Sequence, residues 1–415
     1  MVEAVRSTAY LGPDKGRWRP ATWADVKEAA SGGLLDESHW VDLKQELPAG
    51  KATANTDVAK DLASLAVDGG LLVIGVEDHK SHAGKVLGVE LAGLADRVDQ
   101  IARDKVRPSL VVRSTEIPDP DRPGFGCLLV HVPPSALAPH MVDYVYYGRG
   151  DLSNVRLGDE QVRSIIADRH RQRTDIVADL RMMAHDDPLP EELRKNGHIY
   201  LLAHPETASE ETLVDLLALD NAQTIINQNL DQIAQAAGEW QFEPRLQQLP
   251  RRIPQAEGHA FTTVSAGDRI YEPGMIHLLL REDGGLRLTC GRGTDMGPLP
   301  FLAGPPPQVL IAAVVLGLTH SFAALAGRIA DQYGAYQGQW RLGIRLDRLQ
   351  GVAPMDSYPG PWKRTGHPYT RDDYEQTTSA STEELINAPA TVAYRLLARL
   401  IRGLGIAEQY PPPTS

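Results

Sequence analysis

A chain of 415 residues with 42% apolar content can bury a substantial core, and its length predicts two or three domains. Its 42 basic and 54 acidic residues leave a net charge of −12, which excludes a general attraction to nucleic acid or anionic membranes and requires any such contact to come from a local basic patch. Two cysteines, Cys127 and Cys290, are too few for a disulfide framework or a zinc knuckle, and Met1 to Gly12 carries no apolar leader pattern, so a reducing cytoplasm is the expected setting.

Thr22 to Ala30 reads as a short helix, capped by Thr22 and stopped by Gly32-Gly33. An extended segment begins at Leu43 and is broken by Pro48. Val58 to Val67 is a second helix, with Val58, Leu62 and Leu65 at helical spacing. Leu71 to Val76 is a near-continuous apolar run, the mark of a strand buried on both faces. Leu91 to Asp104 repeats the helical pattern. Ser109 to Ile117 and Cys127 to Val132 read as strands around a turn at Asp119 to Gly124, followed by a strand at Tyr144 to Tyr147 and a helix from Asp159 to Arg173. Together these predict an α+β domain of about 140 residues.

Farther on, Ile225, Ile226, Leu230 and Ile233 mark a helix, and Asp283-Gly284-Gly285 joins two strands as a hairpin. Val309 to Gly327 has no charged residue and approaches the ~20 residues of a membrane span. Gly317, Thr319, His320 and Ser321 interrupt its centre and no basic cluster flanks it, so it reads as a buried core helix packed on the following strand. That strand alternates Trp340, Leu342, Ile344 and Leu346 with polar or small residues. Residues 351–381 read as a surface excursion. Pro389 opens a final helix with Val392, Leu396, Leu400 and Ile401 on its apolar face.

The chemistry-bearing residues gather between Glu37 and Asp78. Glu37 and Asp42 stand five apart, Lys44 follows, and Glu77-Asp78 close the apolar run after Gly69-Gly70. Carboxylates brought together beside a lysine can hold Mg²⁺ or Mn²⁺ near a phosphate; exposed acids at the ends of elements are the plainer alternative, and spacing alone favours it. Lys44 would meet a phosphate as a point charge. In Tyr144 to Asn154, Arg149 could pair with a phosphate and a tyrosine such as Tyr147 could stack on a base; a strand end with core tyrosines is the alternative. Arg169, Arg171 and Arg173 add a basic cluster, which by default is a solvated helix face. No Walker-type phosphate loop is present.

Four ordered elements resemble the Schlafen-type AlbA domain. They are Glu37-Ser38-His39-Trp40-Val41-Asp42-Leu43-Lys44, Gly69-Gly70 with Ile74-Gly75-Val76-Glu77-Asp78, Val132-Pro133-Pro134-Ser135, and Tyr147-Gly148-Arg149-Gly150. Asp42 stands where the family carries Glu. The resemblance implies a mixed-sheet AlbA-like domain over residues 31–175; the segments it leaves unassigned are expected to form an N-terminal extension (1–30) and an α-rich α+β domain (176–415). It implies nucleic-acid binding, regulatory or defence-related, and the residues expected to make the contacts are Lys44, Tyr147, Arg149, Arg169, Arg171 and Arg173. The nuclease members imply an alternative: a Mg²⁺- or Mn²⁺-dependent ribonuclease with Glu37, Asp42 and Asp78 as ligands and catalytic residues. A nucleotide (ATP) sensor is a further alternative. DNA or RNA is the expected partner, no membrane is expected, and a homo-oligomer is left open.

Overall fold

The computed structural model of the chain describes residues 8–15, 17–48, 52–172, 175–208, 211–237, 243–246, 249–264, 270–297, 306–355 and 366–413. The chain forms an α+β structure in two compact units. The first comprises Met1–Arg173 with Glu206–Ala208 and Asp331–Gln339; the second comprises the remaining segments, Thr174–Pro205, Ser209–Ala330 and Trp340–Ser415.

The first unit opens with α1 (Trp23–Ser31), where Thr22 and Asp25 form a reciprocal capping box. Then follow β1 (Val41–Lys44), α2 (Ala52–Leu65), β2 (Gly70–Ile74), β3 (Val76–His79), β4 (His82–Val86), β5 (Val89–Glu90), α3 (Leu94–Asp104), β6 (Arg113–Pro118) and β7 (Phe125–Val132). The unit ends with β8 (His140–Val142), β9 (Val145–Arg149), β10 (Asn154–Arg156) and α4 (Asp159–Gln172). The central sheet is mixed: β1 lies parallel to β2, β2 antiparallel to β7, and both β5 and β6 pair with β7.

Both faces of this sheet are covered, which is why β2 and β7 are apolar without interruption. Leu72, Ile74, Leu128 and Val130 join the core that contains α2 and α3 residues such as Leu62 and Val98. Leu71, Val73, Cys127 and Leu129 join a second core with Trp23 and Val26 of α1 and with Ala9 and Leu11. Described residues of the expected N-terminal extension, from Ala9 to Ala30, thus belong to the covering layer.

The expected continuation of β2 into Glu77-Asp78 does not occur. Gly75 adopts φ +111°, its carbonyl accepts from Leu87 and Gly88, and the chain leaves the sheet to form the β3–β4 hairpin. Only glycine suits this corner, because a Cβ would lie 3.0 Å from the Cys127 sulfur and 3.1 Å from the Gly126 carbonyl oxygen.

The second unit starts with α5 (Ile176–His185), β11 (Ile199–Pro205), α6 (Val214–Ala218) and α7 (Ala222–Ala237). Next come β12 (Arg251–Gln255), β13 (Gly258–Thr262), β14 (Ile276–Arg281), β15 (Leu286–Cys290), β16 (Thr294–Met296) and β17 (Gln308–Leu310). It closes with α8 (Ala312–Ile329), β18 (Gln339–Leu346), β19 (Ala353–Pro354), β20 (Tyr374–Ser381), α9 (Thr382–Asn387) and α10 (Pro389–Gly403). A seven-stranded sheet runs β12-β13-β14-β15-β11-β18-β20, and β16-β17-β19 form a smaller one.

By length and composition α8 and its extension could cross a membrane, yet 67% of that apolar window is buried inside the protein. It packs on α7, α9, α10 and β11, the neighbour of the expected β18. The segment read as a surface excursion contains β20, an edge strand of the large sheet; residues 356–365 within it lie outside the described residues.

Candidate functional site

Strand alternation sets the site. Val41 and Leu43 of β1 point to the α1 side, so Asp42 and Lys44 point to the α2 side. There α2 contributes Asp61, buried among the apolar residues of the same helix. Lys44 Nζ lies 2.9 Å from Asp42 Oδ1 and 3.0 Å from Asp61 Oδ2, bridging strand and helix. Asn154 of β10 donates to the other Asp61 oxygen at 2.6 Å.

Arg149, at the end of β9, closes the cluster from within. Its side chain is 1% exposed and donates to Asp42 Oδ2 at 2.5 Å, to the Ser38 carbonyl at 3.0 Å and to the Val41 carbonyl at 2.8 Å. A guanidinium so placed holds the turn before β1 in position and neutralises Asp42. Two cations and two carboxylates therefore balance here. Burial opposes the Lys44 charge, but Asp61 and Asp42 outweigh it and hold the ammonium well above its ordinary range. Burial, reinforced by Asp42, pushes the Asp61 carboxyl up to about 6.

Glu37 is half-buried at the rim of this cluster, with one oxygen accepting from Leu43 N–H at 3.4 Å. Burial raises its carboxyl above the usual range, and Asp42 and Asp78 add to the rise. Asp78 lies exposed on β3, where its Oδ1 accepts from Ser81 N–H at 2.8 Å and so closes the hairpin turn. Glu37 is near enough to feel both Asp42 and Asp78. Among the described residues, however, no group of three or more His, Cys, Asp or Glu side chains is placed to hold a metal ion. Both Asp42 oxygens already face cations, and a divalent ion brought to them would meet the repulsion of Lys44 and Arg149. The residues as arranged do not fit a Mg²⁺ or Mn²⁺ centre.

The expected phosphate and base contacts separate on inspection. Lys44 keeps 32% of its side chain exposed and can meet an anion at the surface. Arg149 cannot, being enclosed and fully engaged. Tyr147 is 5% exposed and belongs to the α2–α3 core, so it has no face to offer a base. Arg169 donates to the Val67 carbonyl, and burial lowers its guanidinium below the ordinary range. Arg173 and the side chain of Arg171 lie outside the described residues.

Sequence reasoning missed Asp61 and Asn154. Asp61 carried a signal: it stands three residues after Val58 and four before Leu65, on the apolar stripe of α2, where an acid needs a buried partner. Tyr144 at the β8–β9 turn, not among the expected contact residues, is 96% exposed.

Comparison with known proteins bears on residues 37–160, which match the family model described as Schlafen, AlbA_2. The match spans β1 to the start of α4, the elements that build the cluster, and it points to a nucleic-acid-related function for this segment. No curated protein matches the chain.

Proposed function

We propose that the Schlafen AlbA_2-type domain of this chain binds nucleic acid without cutting it, as a regulatory or defence-related module. The observation that carries the binding reading is the family match over residues 37–160. The non-cutting form is supported by the neutralisation of Asp42 and Asp61 by Lys44 and Arg149. Such a cluster contributes a charge-balanced floor with one partly exposed lysine side chain, rather than a cation-binding bowl. On a chain of net charge −12, attachment to a polyanion must come from a local surface, and its strength should fall steeply with salt as counterions are released.

The test is a titration of labelled RNA and DNA with the full chain at rising salt, with and without EDTA. Affinity that falls with salt and is indifferent to EDTA supports the proposal. An absence of binding to every RNA and DNA at low salt would remove it.

A metal-dependent ribonuclease is the alternative that the same assays decide, although the residues as arranged do not fit its metal. Incubation of structured and single-stranded RNA with Mg²⁺, Mn²⁺ or EDTA separates the two. Cleavage that needs the metal and is lost in Glu37→Gln would establish this reading over the first.

A further inference from the structure

In the second unit, the connection from α5 to β11 gathers buried polar groups around His198, whose side chain is fully enclosed. Its Nδ1 lies 2.7 Å from Asp187 Oδ2, and its Nε2 lies 3.1 Å from Glu272 Oε1. Both carboxylates already act as acceptors. Asp187 takes the Leu189 N–H and the Tyr200 hydroxyl, each at 2.8 Å. Glu272 Oε1 takes the Lys195 and Asn196 N–H groups at 2.8 and 2.9 Å. Burial raises the Asp187 carboxyl, but the bonds from His198, Leu189 and Tyr200 outweigh it and bring the group below the ordinary range. A neutral imidazole has one N–H and one lone pair, so it satisfies one such acceptor and turns its lone pair on the other. An imidazolium donates to both.

Among the described residues, charged and titratable groups face this cluster from each adjoining element. Asp347, just after β18, accepts the His198 backbone N–H at 2.7 Å, and burial raises its carboxyl. Arg194 lies 3.8 Å from Asp187 and 3.9 Å from Asp347. Tyr200 stands on β11, while His277 of β14 and Cys290 of β15 are near enough to Asp187 to feel its charge. Even with Asp347 neutral, Asp187 and Glu272 set two carboxylates against the one guanidinium of Arg194. A charged His198 supplies the second cation.

We propose that His198 is a buried imidazolium clasping Asp187 to Glu272, and that loss of one ring proton to solvent opens the clasp as pH rises. The Nδ1 proton stays on Asp187, the shorter contact, and the bared Nε2 then repels Glu272 Oε1. Glu272 draws away and releases the Lys195 and Asn196 N–H groups, so the connection from α5 to β11 loosens. This switch lies within the second unit and stands apart from the nucleic-acid reading.

The experiment is nitrogen NMR of the full chain labelled in its histidine rings, which separates protonated from bare ring nitrogens, joined to hydrogen exchange. At pH 7, where a free imidazole is mostly neutral, both His198 nitrogens should carry protons. Buried His131 should be neutral in the same spectrum. The amide of Glu272→Gln can donate to a bare nitrogen, so His198 should become a neutral tautomer in that variant, and the change identifies its signals. As the wild-type ring loses its proton at higher pH, exchange in residues 186–198, corrected for its intrinsic rate, should speed up about tenfold. In Glu272→Gln it should stay level. A bare nitrogen on wild-type His198 at pH 7 would overturn the imidazolium. A ring that keeps both protons to pH 10, or loses one with no change in exchange, would overturn the switch. Both readings come from the wild-type chain, so they hold if the variant fails to fold.

Discussion

Arg149 shows how position changes what a residue type means. In the sequence it follows a glycine beside tyrosines and resembles a phosphate hook; in the fold it is an internal clamp on Asp42 and on the Ser38 and Val41 carbonyls. Truncating it leaves Asp42 buried with half its compensation, so Arg149→Ala should cost about 3–5 kcal/mol in urea unfolding. Arg149→Lys should recover only part of this, because an ammonium cannot span three acceptors in one plane. His131 makes a second residue-scale prediction. It lies buried opposite Arg113 with no hydrogen-bond partner for Nε2, and burial, then Arg113, brings its imidazole down to about 4 from 6.5. The folded state keeps the ring neutral while the unfolded chain protonates below 6.5. Stability is therefore present above 6.5 and lost as pH falls towards 4, by about 2–3 kcal/mol between pH 7 and 4.5. His131→Gln should remove that share of the pH dependence, read as the difference between urea unfolding free energies at the two values.

At the scale of elements, Gly75 decides where Asp78 goes. Gly75→Ala should destabilise the first unit by about 1–3 kcal/mol, combining the positive-φ cost with contact on Cys127 and Gly126. Hydrogen exchange should speed up first in β3 and β4. Elements with strong periodicity were legible: α1 from its Thr22 cap, β2 from its two-faced apolar run, and α10 from Val392, Leu396 and Leu400. The exit at Gly75 was not, because a glycine inside an apolar run looks the same whether it continues a strand or turns a corner. Nor was β20: Tyr374–Ser381 is largely polar, as an edge strand held by backbone bonds allows. The Lys44–Asp42 proximity was readable from β1 alternation, whereas Arg149 and Asn154 arrive from far along the chain and leave no local trace.

For the whole molecule, the sequence boundary near residue 175 describes the first unit incompletely. Arg113 donates to Asp331 at 2.6 Å and to Gln337 at 2.8 Å, and Asp331 is fully buried. These late residues belong to the same compact unit as β6. A fragment ending at residue 175 should consequently be less stable than the unit within the full chain, with a lower thermal midpoint. Arg113→Ala should cost the full chain more than it costs the fragment, which already lacks its partners. The same arrangement imposes an order in time. During synthesis, some 158 residues separate Arg173 from Asp331, and at about 5–20 residues per second that is roughly 8–30 s of translation. Through that interval the nascent first unit carries an Arg113 waiting for its acid. The pace of the ribosome across the second unit's coding stretch thereby governs when the first one is finished.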